Sequence, residues 1–255
     1  VAELNPTPDK AAIARRFQAA WPHYQAAAAA QAHIQRQLLA LLTAHERRDF
    51  ASVLEIGCGN GGFTRLLADV CPNAHWTLND LCDTRACFDF LPQARFVCGD
   101  AEQADLGCNH DLLAAASAVQ WFARPQDWPE RAAAALAHGG LLLFNTFDPD
   151  NLAEVRHCSG RGLHYPGIDD WRQWLAPHFH IHHIGSEAVR LELADPMAVL
   201  HHLKRTGVTA TSHGQVWSKG RLAEFCRRYR ALYSTPEGKV TLTYTPLYVL
   251  AEKKR

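Results

Sequence analysis

Residues 53–63 read Val-Leu-Glu-Ile-Gly-Cys-Gly-Asn-Gly-Gly-Phe, and the reading of this stretch decides the fold. Val53, Leu54 and Ile56 make a short apolar run of the kind that becomes a buried strand. The run stops at a glycine-rich turn, and Phe63 to Val70 then carries helical spacing. Strand, glycine turn and helix in that order form a unit that presents backbone amides to a ligand. Gly57, Gly59 and Gly61 permit the tight turn and a close approach to the backbone. Gly57, Gly59 and Gly62 also satisfy G-x-G-x-x-G, and Asp80 falls where a dinucleotide fold puts its ribose carboxylate. Taken alone, the stretch therefore leaves a dinucleotide reading open.

Outward from this stretch, strand and helix patterns alternate. Strands are expected near residues 53–56, 75–78, 95–98, 112–115 and 141–145, with helices near 63–70, 83–90 and 129–138. Gly139-Gly140 reads as the stop of the last helix. Repeated strand–helix units imply an α/β fold, a mostly parallel sheet with helices on both faces. Ligands then bind beyond the carboxyl ends of the strands, where Glu55, Asp80 and Asp100 all fall. Upstream, Thr7-Pro8-Asp9 reads as a helix start, with Thr7 as the cap, and Ile13, Phe17 and Trp21 give that helix one apolar face. Pro22 should break it, and a second helix should run to about Thr43. Both helices are read as a lid over residues 1–45, ahead of a cofactor-binding core over 50–146.

Downstream, Phe147 to about Gly167 loosens into a long connection, the kind of loop that is usually functional. A helix over 169–179, strands over 181–184 and 188–193, a helix from Asp195 to Arg205, a basic helix over 218–233 and a strand-like stretch over 240–251 follow. Segments 147–170 and 195–235 are expected to be substrate-side additions to one single domain, whose sheet closes with an antiparallel hairpin.

Composition narrows the function classes. A chain of 255 residues that is 47% hydrophobic suffices for one well-buried domain with additions. Lysine plus arginine equals aspartate plus glutamate, 26 each, which argues against nucleic acid as a partner. No apolar run approaches the ~20 residues of a membrane span. Val1-Ala2-Glu3-Leu4 does not open a secretion signal, so a cytoplasmic location is expected. The eight cysteines form no C-x-x-C, which fits a reducing compartment better than a disulfide framework. Among 15 histidines, His178, His180, His182 and His183 gather around one strand. They read as surface histidines and no metal is expected, because no cysteine or carboxylate joins them at metal-ligand spacing.

Glu55 stands two residues before the first glycine, and Asp100 follows the third strand. E-x-G-x-G-x-G with both later carboxylates resembles the S-adenosylmethionine site of the Rossmann-like class I methyltransferases. That resemblance implies a seven-stranded sheet with an antiparallel last strand, S-adenosylmethionine as cofactor and S-adenosylhomocysteine as its product. Asp80 would accept from the ribose diol, with Asn79 as the second candidate and Leu81 beside it. Asp100 would accept from the adenine amino group, with the Ala101 amide nearby; a turn-capping aspartate is the competing reading. Glu55 would orient the amino-acid end of the cofactor. In Ala-Ser-Ala-Val-Gln-Trp-Phe, residues 116–122, Ser117 and Gln120 would face the charged tail, and Trp121 and Phe122 would wall the methyl-transfer site or else belong to the core.

A closer resemblance runs over nearly the whole chain. RRFQAAWPHYQAAAAAQ (15–31), LEIGCGNGGFT (54–64), ASAVQWF (116–122), FNTFDPDNLAEVR (144–156), GRGLHYP (160–166), HLKRTGVTA (202–210) and LTYTPLYVLAEKK (242–254) are similar to the malonyl-acyl-carrier-protein O-methyltransferase family of biotin synthesis. AVQWF, FDPDNLAEVR and LKRTGV together are fairly specific, whereas the glycine loop alone says only class I methyltransferase. Cys58 and Asn79 depart from many relatives without touching an assigned role. The resemblance implies methyl transfer to the free carboxylate of a malonyl thioester. That carboxylate is already ionised, so no base is needed, and in-line placement with exclusion of water does the work. Arg156 is the leading partner for the carboxylate, against an ordinary loop arginine. Tyr24 would donate to the carboxylate or close over the methyl group, against a core aromatic. The acidic acyl carrier protein, a transient partner of a monomeric enzyme, would dock on Lys204, Arg205, Arg227 and Arg228, against solvated helix faces. The alternatives are a methyltransferase of a quinone or phenol, a non-catalytic S-adenosylmethionine-binding protein and, third, a dehydrogenase.

Overall fold

The computed structural model describes residues 9–20, 29–47, 49–160, 162–206 and 218–255. Its centre is a seven-stranded sheet built from β1 (Ser52–Ile56), β2 (His75–Asp80), β3 (Arg95–Cys98), β4 (His110–Ala115), β5 (Leu136–Phe147), β6 (Phe179–Ser186) and β9 (Pro246–Lys253). The order across the sheet is β3-β2-β1-β4-β5-β9-β6. β1 pairs in parallel with β2 and β4, β2 with β3, and β4 with β5, while β9 runs antiparallel to β6. This is the α/β sheet with an antiparallel closing strand that the alternation of patterns implies. β1 is flanked on both sides, which explains why its sequence is an apolar run rather than an alternation.

The helices around the sheet are α2 (Ala29–Ala44), α3 (Gly62–Val70), α4 (Trp128–Ala135) and α6 (Ile168–Leu175). On α2, Ala30, Ile34, Leu38 and Leu42 form a buried stripe at four-residue spacing. Leu54, Ile56, Leu113, Leu142, Phe144, Trp128, Trp171 and Val249 make one continuous core.

Two expected helices are corrected. Over 83–90 the chain makes only a 3₁₀ turn, Arg85–Cys87, because Phe88 is buried against Phe90 and Phe96 and Pro92 follows closely. Helix α4 ends at Ala135, and Gly139-Gly140 lies inside β5 rather than capping a helix. A Cβ on Gly140 would stand 2.9 Å from the carbonyl oxygens of Ala137 and His110, at the place where the β4–β5 ladder shifts register. The glycine serves the irregular ladder, as glycines in bulges do.

The remaining elements are α1 (Lys10–Ala20), α5 (Ala153–Ser159), β7 (Val189–Leu193), α7 (Pro196–Arg205), α8 (Lys219–Tyr233) and β8 (Val240–Tyr244). The single strand expected over 240–251 is two, divided at Thr245, whose amide donates to Asn151 Oδ1 at 3.0 Å instead of to a ladder. β8 pairs antiparallel with β7 in a separate two-stranded sheet. Helix α1 is capped by Asp9, whose Oδ1 accepts from the Ala12 amide at 2.9 Å, whereas Thr7 lies outside the described residues. Asp195 caps α7 by accepting from the Ala198 amide at 2.8 Å, and Ser218 caps α8 through the Arg221 amide at 3.3 Å.

The chain forms two compact units. One gathers Gln31–Thr146, Pro166–Ser186 and Leu247–Arg255 around the large sheet. The other gathers Phe147–Tyr165 and Glu187–Pro246 with α1. The greater part of α2 therefore groups with the sheet and not with α1, although the sequence pairs the two helices as one addition. In the second unit Phe225, Tyr229 and Tyr244 are buried, and the Tyr229 hydroxyl donates to the Thr241 carbonyl at 2.7 Å. Among the described residues, no helix is long and apolar enough to cross a membrane.

Candidate functional site

The glycine loop after β1 is held by its own hydrogen bonds. The amides of Gly57 and Cys58 donate to the Asn79 carbonyl at 2.8 and 3.1 Å, and the Gly61 amide donates to the Cys58 carbonyl at 2.9 Å. The Gly59 amide donates to Asp80 Oδ2 at 2.9 Å. The expectation that the loop presents its amides to a ligand is thus corrected at these positions, where the amides are spent inside the protein. Gly57 has φ +69°, and a Cβ there would lie 2.6 Å from the Ala118 Cβ, so the loop passes the turn after β4 without a side chain between them. A pyrophosphate needs unspent amides and no carboxylate among them. With the amides of Gly57, Cys58, Gly59 and Gly61 taken, the dinucleotide reading loses four of its candidate donors.

The same edge of the sheet instead concentrates carboxylates. Asp80, at the end of β2, accepts from Gly59 through Oδ2 and from the Cys82 amide through Oδ1 at 2.9 Å. A carboxylate oxygen takes two hydrogen bonds, so each keeps an acceptor position. Burial pushes its pKa up, and the two amides pull it back. Asn79 is buried and faces the other way along the strand, with Nδ2 donating to the carbonyls of Val97 and Gly99 at 2.9 and 3.0 Å. This takes it out of the ribose role that its position beside Asp80 suggests. Glu55 on β1 is fully buried; burial pushes its pKa up to about 8, the Thr64 hydroxyl beside it pulls down, and the charge of Asp80 pushes up further. Among the described residues, Glu55 Oε2 has no hydrogen-bond partner.

After β4, Ser117 takes φ +55°, and its amide donates to Asn145 Oδ1 at 2.8 Å. Gln120 donates through Nε2 to the Ser117 carbonyl at 2.7 Å, while its Oε1 is buried without a partner among the described residues. Leu81 follows Asp80 half-buried, with its carbonyl 3.9 Å from the Cys98 sulfur. Asp100 caps its own turn, with Oδ1 accepting from the Glu102 amide at 3.0 Å. Ala101 is buried, and its carbonyl accepts from Arg131 Nε at 2.6 Å. Trp121 and Phe122 are both buried, and Phe122 packs edge-on against Trp128 with ring centroids 5.2 Å apart, within the core.

Three residues that sequence reasoning passed over lie at this edge, and two of them tie it together. Asn145, at the end of β5, fixes Ser117, and a buried amide closing an apolar strand was a readable signal. Glu102 joins the turn after β3 to the turn after β4 by accepting from the amides of Ala123 and Arg124 at 2.8 and 2.9 Å. Gln35 of α2 sets its amide about where a Cβ on Gly62 would meet it, at 3.4 Å. Nothing local in the sequence marks Glu102 or Gln35.

In the second unit, Arg156 stands on helix α5, not in a loop. Its stem packs against Gly162, and Nη1 reaches the Asn151 carbonyl at 3.5 Å. Burial raises the nearby Tyr165 hydroxyl to about 12, with Asn151 and Arg156 pulling it back. Lys204 and Arg205 are exposed at the end of α7, which packs against α8. On α8, Arg227 grips Glu224 with two bonds, 2.7 and 2.9 Å, and Arg228 donates to the His157 carbonyl at 3.1 Å. Tyr24 lies outside the described residues. None of the eight cysteines forms a disulfide. The histidine cluster is corrected in one respect: His182 does have a carboxylate neighbour, Glu252, at 3.2 Å, and a second imidazole, His45.

Residues 24–196 match a family model described as a methyltransferase domain. Over 245 residues the chain is 45% identical to a malonyl-[acyl-carrier protein] O-methyltransferase of Porphyromonas gingivalis, across 96% of each chain. It is 41% identical over 253 residues to the protein of the same name from Haemophilus ducreyi, across 96% of this chain and 97% of that one. Among solved structures, the YcgJ protein of Bacillus subtilis shares the fold with a TM-score of 0.61 at 14% identity, over 86% of this chain and 99% of that chain. So does the N-methyltransferase NodS of Bradyrhizobium japonicum in complex with S-adenosyl-L-homocysteine, with a TM-score of 0.51 at 18% identity, over 87% of this chain and 86% of that chain. At this identity and coverage, the chain belongs to the malonyl-[acyl-carrier protein] O-methyltransferase family.

Proposed function

We propose that this protein transfers a methyl group from S-adenosylmethionine to the free carboxylate of a malonyl thioester on acyl carrier protein, giving the methyl ester that opens pimeloyl synthesis for biotin. The observation that carries the cofactor assignment is the buried Glu55, whose Oε2 has no partner among the described residues, and the half-buried Asp80, beside a loop in which the amides of Gly57, Cys58, Gly59 and Gly61 are spent. Such a site suits a cationic ligand with hydroxyls and repels a pyrophosphate. The shared name of close relatives supports the substrate.

S-adenosylmethionine supplies a methyl carbon activated by its sulfonium. Glu55 and the buried Gln120 Oε1 accept from the ammonium of its amino-acid end, with Ser117 beside them. Asp80 uses its spare acceptor positions for the ribose diol, flanked by Leu81. Asp100 and Ala101 take the adenine, and the Gly57–Gly61 loop sets how close the cofactor comes to the backbone. Trp121 helps to wall the transfer site and keep water out. Phe122, committed to the core, supports that wall from behind. Arg156 pairs with the malonyl carboxylate, and Tyr24 is the candidate hydrogen-bond donor to it. Lys204, Arg205, Arg227 and Arg228 receive the acidic carrier. No group in this set needs to remove a proton, because the nucleophile is already an anion at neutral pH. Cysteines without disulfides suit a reducing cytoplasm, where we place the enzyme as a monomer without a metal in its transfer chemistry.

The test is rescue of a biotin-requiring strain that lacks its own malonyl methyltransferase. The parent gene should restore growth, and Asp80→Ala and Arg156→Ala should each fail while the proteins remain folded. Purified protein that methylates no malonyl thioester, on carrier or on coenzyme A, would overturn the proposal.

A further inference from the structure

At the opposite edge of the large sheet from the glycine loop, three metal-ligand side chains from three separate elements converge. His45 follows the last turn of α2, His182 is on β6, and Glu252 is on β9. Their ligand atoms all lie within 4.8 Å of one another. His182 Nε2 is 3.2 Å from Glu252 Oε2, and the rings of His45 and His182 meet edge-on with centroids 4.9 Å apart. We propose that His45, His182 and Glu252 bind one divalent transition-metal ion, with Zn²⁺ as the best match, outside the methyl-transfer chemistry.

Four observations carry this. The first is the ligand set: two imidazoles and a carboxylate are a recurrent zinc donor set, leaving one position for water. The second is spacing. Ligand atoms ~2 Å from a tetrahedral zinc stand ~3.3 Å apart, so the His182–Glu252 pair is already placed and His45 needs only a small inward movement. The third is the backbone. Ile181 pairs with Ala251 and His183 with Leu250, so His182 is the extra residue of a bulge in β6, and bulges re-aim side chains. The fourth is the position of His45 just beyond a helix C-terminus, where a cation is favoured.

The surrounding charges permit an ion. Arg47, two residues from His45, has its guanidinium committed to Asp111 at 2.6 Å and to the Gly139 carbonyl at 2.7 Å. Those contacts, at the start of β4 and within the first part of β5, also put the cluster at the edge of the sheet away from the cofactor side. Two hydrogen bonds are exchanged on binding: the His182 Nε2–Glu252 Oε2 bond at 3.2 Å gives way to the ion, and the Arg47 amide, which donates to His45 Nδ1 at 3.1 Å, loses that acceptor whether the ion takes Nδ1 or shifts the ring proton there. The ion would staple the end of α2 to β6 and β9.

The chelator-treated full-length protein should be titrated with Zn²⁺ alone by calorimetry and with Co²⁺ alone by visible absorption. One ion per chain is expected, with a cobalt spectrum free of thiolate charge transfer and a melting temperature raised by zinc. His182→Ala and Glu252→Gln, both at exposed or half-exposed positions, should lose about tenfold or more in affinity and lose the zinc-dependent rise in melting temperature. His180→Ala should bind like the parent, and methyl transfer should be unchanged in all three variants. Absence of binding, parent-like affinity in His182→Ala or in Glu252→Gln, or a thiolate signature showing the ion on cysteines would each overturn the proposal.

Discussion

Replacing Glu55 with glutamine removes a buried acid while keeping its shape, and the consequences are calculable. With its pKa raised to about 8 by burial, Glu55 is about nine-tenths protonated at pH 7 in the ligand-free protein. A cofactor that brings an ammonium to Oε2 favours the carboxylate, so binding should release close to one proton near neutral pH. Calorimetric titration of S-adenosylmethionine in two buffers of different ionisation enthalpy measures that number directly. Between about pH 6 and 8 the parent should bind up to ~10-fold tighter per pH unit, flattening above pH 8. Glu55→Gln should show no proton release, no such slope, and at pH 8 a loss on the order of 1.5–3 kcal/mol for the missing charge-assisted bond. The sign also fixes the stability of the ligand-free protein. The folded pKa lies above the unfolded value of 4.5, so the native state holds the extra proton between about pH 4.5 and 8. Stability should therefore fall as pH rises through that window, by a few kcal/mol at most on the order set by linkage, and the variant should not show this fall. No proton release in the parent, or equal release in the variant, would refute the placement of the ammonium at Glu55.

Gly57→Ala should cost at least ~1–2 kcal/mol from its positive φ alone, with the Ala118 contact in addition, and should abolish cofactor binding in a fluorescence or calorimetric titration. Arg227→Glu with Arg228→Glu should raise KM for the malonylated carrier steeply at low salt and much less at high salt, with kcat nearly unchanged; unaltered kinetics would remove α8 from the docking surface. Asp111→Ala strips the acceptor from Arg47 at 2.6 Å and from the amides of Ala51 and Ser52 at 2.9 and 3.1 Å, at the entry to β1. It should destabilise the protein by roughly 2–3 kcal/mol, seen as a melting point lower by about 5–10 °C, and a shift under ~1 °C would show that the network is not stabilising.

The fold class was legible because each signal for it is local. The run Val53–Ile56, the glycine turn and the helical spacing after Phe63 are adjacent in the chain, and period and turn chemistry report directly on the backbone. The same holds for Asp195 and Ser218 as caps, which act on amides three residues away. Glu55, Asp80 and Asp100 were readable as carboxylates at strand ends for that reason. Where the reading failed, the deciding contact came from a different element of the fold rather than from the segment's own pattern. Gly139-Gly140 looked like a helix stop until β4 approached it from His110, and 83–90 looked helical until Phe88 found Phe96.

By itself, then, the amino-acid order determined an α/β sheet with a cofactor loop after β1 and acids at the strand tips, through periodicity, glycine placement and caps that act within a few residues. Only the folded chain decided that the loop amides are spent on Asn79 and Asp80, that Asn79 turns away from the site, and that His45 and Glu252 join His182. Those outcomes depend on register, strand alternation and a single bulge in β6. They bring together residues up to 207 positions apart, from His45 to Glu252, and no local pattern encodes such a meeting.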